Sequence, residues 1–137
     1  MRRLILGLFI LLSGCLMAPA HDVKAELGEE FGLKINQTAY IGSEDLLIEF
    51  SEVEQDSRCP SDVVCVWQGV AMVEVKGQGP KAVSFDIILS TDDREVDVNN
   101  SEGDTYVIEL VDLEPYPEST KEIRDGDYLA TLKVTRD

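Results

Sequence analysis

The chain's scarce reactive residues are three cysteines, one tryptophan and one histidine. Two cysteines and the tryptophan fall in one stretch, DSRCPSDVVCVWQG, from Asp56 to Gly69. Redox pairs usually sit in Cys-x-x-Cys, whereas five residues separate Cys59 from Cys65. A zinc site needs about four ligands, and the only histidine, His21, lies far upstream. A nucleophilic thiolate needs a base such as histidine, and none follows His21. What remains is a structural disulfide between Cys59 and Cys65. Closing so short a loop contributes about 2–2.5 kcal/mol on chain-entropy grounds. The same shortage of histidine rules out a Ser-His-Asp arrangement, and no phosphate-cradling glycine loop is present. Carboxylates are plentiful, but nothing singles out a pair for glycoside chemistry. The expectation is a non-catalytic protein without a cofactor or metal.

The other residues of the stretch admit contact roles. Trp67 stands two residues beyond Cys65, so on a regular strand it shares that face. An indole packed on a disulfide in the core is the expected arrangement. Arg58 is the one basic residue of the stretch, with Asp56 two positions before it. It is expected to bond Asp56 or loop carbonyls, or to stack on an aromatic ring. If the stretch touches a partner, the contacts are Asp56, Arg58, Pro60, Ser61 and Asp62, at the tip and root of the loop. One further segment could take a cation. Asp92, Asp93, Asp97, Asn99 and Asp104 offer oxygen ligands. As an EF-hand loop from Asp97 it fails, because Glu102 replaces the glycine and Ile108 the bidentate glutamate. A polar hairpin loop is the expected structure there.

These residues belong to an exported chain. Arg2 and Arg3 precede an apolar run, Leu4 to Leu12, of signal-peptide length and too short to span a bilayer. LSGC, ending at Cys15, has the pattern of a prokaryotic lipobox, in which the cysteine is lipidated and becomes the new N-terminus. APA, Ala18 to Ala20, fits ordinary cleavage less well because of Pro19. Lipidation of Cys15 leaves Cys59 and Cys65 as a pair in an oxidising compartment. Residues 1–14 are then a lipoprotein signal peptide, 15–28 a flexible tether and 29–137 the folded domain. The protein is expected to cross the inner membrane and stay anchored by lipid in the prokaryotic cell envelope. The formal charge of −15 disfavours nucleic acid and anionic headgroups as partners. The sequons at Asn36 and Asn99 would be idle in such an organism.

Period-two alternation dominates the rest. Phe31/Leu33/Ile35, Ala39/Ile41 and Leu46/Ile48/Phe50, with Val53 near its end, mark faces of early strands. Ala71/Val73/Val75, Val83/Phe85/Ile87/Leu89, Tyr106/Ile108/Leu110 and Tyr128/Ala130/Leu132/Val134 mark the later ones. Turn-forming clusters separate them. Seven or eight short strands and no helical stripe predict an all-β fold, an antiparallel β-sandwich of immunoglobulin-like, Greek-key type with one disulfide.

DSRCP…C-x-W-x-G, together with LVDLEPYPEST and the closing DYLATLKV strand, resembles an uncharacterised family of small prokaryotic secreted proteins and lipoproteins. The likeness covers roughly Phe31 to Val134 and implies no activity. Gln68 stands where that family favours a small residue. The functional expectation is a lipid-anchored binding or structural module that contacts an envelope protein or peptide. The alternatives are an inhibitor of secreted proteases, with the stapled loop as a wedge, and a calcium-dependent module using Asp92 to Asp104.

Overall fold

The computed structural model describes residues 22–137 apart from Ala82, so Cys15 and the signal segment lie outside the described residues. The strands are β1 (Val23–Ala25), β2 (Glu30–Lys34), β3 (Thr38–Ile41), β4 (Leu46–Asp56), β5 (Ala71–Gln78), β6 (Ser84–Ser90), β7 (Glu95–Asn99), β8 (Thr105–Glu114) and β9 (Leu129–Arg136), with a 3-10 turn at Asp125–Asp127. They form two sheets, ordered β1-β3-β4-β5-β6 and β2-β9-β8-β7. All pairings are antiparallel except β1 with β3.

The fold is an all-β sandwich, for the reason the alternation gives. Phe31, Leu33, Ala39, Ile41, Leu46, Ile48, Phe50, Val73, Val75 and Leu89 turn inward, as do Ile108, Leu110, Ala130, Leu132 and Val134 from the other sheet. Polar partners on the opposite faces of the strands meet water. The order β2-β9-β8-β7 is a Greek-key arrangement, a first strand placed beside the last of a three-strand meander. In the other sheet β3 to β6 follow one another as a meander, whereas an immunoglobulin domain divides its strands ABED and CFG.

Bulges set the phase at two places that matter for the site. β4 shifts register between Phe50 and Glu52, which keeps Val53 on the core side of Phe50 despite their odd separation. β8 shifts between Leu110 and Asp112, and Leu113 returns to the core, 1% exposed. The alternation alone ended that inward face at Leu110.

Two expected boundaries move. β1 falls inside the expected 15–28 tether. Asp22 N–H donates to the Thr38 carbonyl at 2.8 Å, and Thr38 N–H donates to the Asp22 carboxylate at 3.0 Å. Val23, Ala25 and Leu27 pack against the core. A three-residue edge strand is too short to show a period, so sequence alternation missed it. β7 falls inside the expected acidic loop: Val96 and Val98 point inward while Glu95, Asp97 and Asn99 face water.

At the edge of the first sheet, Gly77 faces Phe85 across β5 and β6. A Cβ built on Gly77 would lie 2.0 Å from the Phe85 ring, so the absent side chain makes the ring's seat. Gly77→Ala is expected to cost about 1–3 kcal/mol through overpacking. In a Phe85→Ala background the same change should cost much less, a coupling that urea-denaturation midpoints of the four proteins would measure.

Candidate functional site

β4 ends at Asp56, and the chain turns so that Arg58 points back into the sandwich. Its side chain is 5% exposed and that of Asp56 10%. A buried guanidinium requires hydrogen-bond acceptors in its plane, and here it has them. Nε donates to Asp56 Oδ1 at 2.8 Å and Nη2 to Asp56 Oδ2 at 2.7 Å, a two-pronged pairing. Nη1 donates to the Leu113 carbonyl at 2.7 Å and Nη2 to the Pro115 carbonyl at 3.0 Å. The outer face of the guanidinium stacks on Tyr116, 5.1 Å from the ring centroid. Tyr128 OH donates to Asp56 Oδ2 at 2.9 Å. One cation thus joins the end of β4, the segment leaving β8 and, through Asp56, the start of β9.

The electrostatics follow from this packing. Burial works to raise the Asp56 pKa, but the hydrogen bonds from Arg58 and Tyr128 outweigh it and hold the carboxyl below its ordinary value. Burial, with the Asp56 hydrogen bond, pushes the Tyr128 hydroxyl up to about 12.

Beyond this clamp the chain runs out as a stapled loop. Ser57 N–H donates to the Val70 carbonyl at 2.8 Å and Cys59 N–H to the Gln68 carbonyl at 2.7 Å, continuing the β4–β5 ladder outward. Gly69 makes this close approach possible. It sits at φ +65°, and a Cβ there would lie 1.7 Å from the Ser57 carbonyl oxygen. Cys59 and Cys65 form the expected disulfide, with Cα atoms 5.9 Å apart. Ser61 N–H donates to the Pro117 carbonyl at 2.9 Å. Asp62 accepts from Ser119 N–H at 2.9 Å and from the Ser119 hydroxyl, which lowers its pKa.

The tip held this way is apolar and wet. Val63 is 44% exposed, Val64 102%, Val66 106% and Trp67 78%. These are four of the six large hydrophobic side chains exposed among the described residues, and they fill four of five consecutive positions, Cys65 being the fifth. A contiguous exposed apolar patch on a folded domain marks an interaction surface more often than an accident of folding.

The site differs from its sequence-based expectation in two respects. Trp67 does not pack in the core, because β5 begins only at Ala71 and the left-handed turn at Gly69 breaks the phase that would have carried Cys65 inward. Asp56 and Arg58, named as candidate partner contacts, are instead largely buried and hydrogen-bonded inside the fold, Arg58 through four side-chain donations and Asp56 as acceptor from Arg58 and Tyr128. Pro60 is half-buried, while Ser61 and Asp62 are exposed yet tied to Pro117 and Ser119. The missed signal was the uncharged run VVCVW, which lacks the alternation of a strand.

The acidic segment does not converge on a cation. β7 runs between Asp92–Asp93 and Asp104, and five residues of strand span about 17 Å. Asp92 accepts from the Ser90 hydroxyl at 2.6 Å, and Asp104 accepts from Asn100 and Arg136, both at 2.9 Å. Among the described residues one carboxylate group does converge, Glu52, Glu54 and Glu74, with oxygens within 4.8 Å of one another. Lys76, 3.9 Å from Glu74, supplies counter-charge within the fold. No family model, curated protein or solved structure matches the chain.

The clamp has a pH signature. A carboxyl whose folded pKa is depressed stabilises the fold above its unfolded pKa and loses that contribution as pH falls through the folded value. A tyrosine raised to about 12 contributes below its unfolded pKa of 10.0 and loses the contribution as pH climbs from there toward 12. Asp56→Asn should cost about 3–5 kcal/mol at neutral pH by leaving a buried guanidinium without its counter-charge, and should flatten the acid limb. Tyr128→Phe should weaken the alkaline loss, with the remainder shared by Tyr106, which is also raised to about 12, and by Tyr40 and Lys81, whose pKa values are raised by their Asp45 and Glu102 partners. Urea denaturation across pH 2–12 would read both; an Asp56→Asn curve parallel to wild type throughout would refute the assignment.

Proposed function

We propose that this protein is a lipid-anchored, non-catalytic binding module of the prokaryotic cell envelope, held by Cys15 and making contact through the stapled tip Val63–Trp67. The single observation that carries this reading is the tip itself. Four apolar side chains are held in water on a loop whose root is locked by Arg58 and whose flanks are tied by the disulfide and Asp62. Ordering such a loop before binding removes much of the entropy that association would otherwise cost. Tryptophan is also the residue most enriched at the centres of binding sites.

Two observations bear on the rest of the reading. The lipobox at Cys15 supports the anchor and the envelope location, and it accounts for the odd cysteine. The signature shared with small prokaryotic secreted proteins and lipoproteins fits the same setting without adding an activity. A protease inhibitor is the second reading, favoured by the exposed, disulfide-stapled loop; inhibition by micromolar protein of any protease in a cysteine, serine and metalloprotease panel would support it.

A photo-crosslinking residue placed at Val64 or Val66 in cells tests the main reading. Adducts to an envelope component are expected from both positions and not from Ile88, an exposed site on β6. Intact mass of the membrane-extracted protein should show acyl chains on Cys15. A tip that crosslinks no more than Ile88 would remove the tip from the reading, and an unmodified Cys15 would remove the anchor.

A further inference from the structure

We infer that the component met by the stapled tip is the lipid bilayer that holds Cys15, so that Trp67, Val64 and Val66 form a second membrane contact. This rests on the anchor proposed above and deepens it.

Chain direction is the first support. β1 runs parallel to β3, with Val23 opposite Ala39 and Ala25 opposite Ile41. β3 is antiparallel to β4, with Ala39 opposite Ile48 and Ile41 opposite Leu46. Traced backward from Ala25 to Val23, β1 therefore points along β4 toward Asp56. Val23 is therefore the end of β1 nearer the stapled tip, and the residues before Asp22 attach on that side.

Length is the second support. Seven residue steps connect Cys15 to Asp22, a reach of at most about 25 Å. Asp22 is bonded to Thr38, which lies level with Glu49 and Lys76. From Lys76 to Ala71 β5 covers about 17 Å along the same axis, and Gln68 lies three residues farther on across the Gly69 turn. A fully extended tether thus brings the lipidated residue to about the height of the loop's root. A bilayer approached from this end therefore lies within reach of the tip.

Chemistry is the third. Val63 to Gln68 carries no charge in a chain of formal charge −15, so the tip itself adds no repulsion from anionic headgroups. Tryptophan flanked by aliphatic side chains suits the boundary between headgroups and acyl chains. The disulfide and the Arg58 clamp hold the tip outward, so entry requires no unfolding.

Trp67 is the chain's only tryptophan, so its fluorescence reports the tip without labelling. The full-length lipidated protein would be reconstituted in phosphatidylcholine vesicles with and without bromine on the acyl chains. The expected result is a blue-shifted Trp67 emission, quenched by the brominated lipid. The Val64→Ser/Val66→Ser protein should lose most of that quenching at an unchanged melting temperature, since both residues are fully exposed in the free protein. Water-exposed emission from vesicle-bound, lipid-bearing protein would overturn the inference. So would shielding of Trp67 that appears only when envelope proteins are added, which leaves the binding module standing with a protein partner. Absence of acyl chains on Cys15 by intact mass would overturn the anchor and this inference together.

Discussion

A single buried guanidinium organises one end of this sandwich. Arg58 ties β4 to the segment that leaves β8 and, through the shared carboxylate of Asp56, to Tyr128 at the head of β9. Burying a cation carries a large desolvation penalty that good geometry roughly offsets, so the arrangement adds little net stability over an apolar core. What it adds is definition. Four directed hydrogen bonds and a stacked ring permit one arrangement of three chain segments, where a cluster of aliphatic side chains would permit several. Among the described residues no buried side-chain polar atom lacks a partner, so each buried polar atom of the clamp is hydrogen-bonded within the fold.

The stapled loop inherits its position from that clamp. Its root begins at the clamped residue, its return strand is fixed by the Gly69 approach to Ser57, and its flank is bonded to the same Pro115–Ser119 segment whose carbonyl Arg58 holds. In this arrangement its valines and tryptophan stand exposed, away from the domain core. The far end of the sandwich has the opposite character. There Tyr106 OH donates to Glu44 at 2.7 Å, and Arg136 bridges Glu44 and Asp104 at 3.4 and 2.9 Å, closing that end with paired charge. The exposed apolar side chains of the tip therefore project from the end opposite these charge pairs, and β1, traced backward from Ala25 to Val23, points toward the tip's end.

Much of the fold could be read from the sequence because period-two alternation is a direct consequence of the pleat, and one buried face per strand was enough to reveal it. The elements that escaped are those where the pleat is interrupted or too brief. β1 has three residues, β7 carries only two inward valines among acids, and Leu113 lies beyond a bulge that inverts the phase. At the site, the pairing of Cys59 with Cys65 and the partnership of Arg58 with Asp56 were visible from residue type and spacing. The direction of Arg58 was not, because the carbonyls that receive it come from residues 113 and 115, distant in sequence. Trp67 was misplaced for a related reason. Cys65 and Trp67 were placed on one face of a regular strand, whereas β5 begins only at Ala71, beyond the left-handed Gly69 that lies against Ser57.

The claim on which the functional reading depends is that the tip stays in water when the protein is free. Acrylamide quenching of Trp67 in the soluble, lipid-free Cys15→Ser protein measures this directly. The expected result is a quenching constant close to that of free N-acetyltryptophanamide, reduced only by the slower diffusion of the larger molecule. A constant several-fold lower, as for an indole enclosed in a protein core, would mean that the loop packs onto the domain and offers no exposed contact surface.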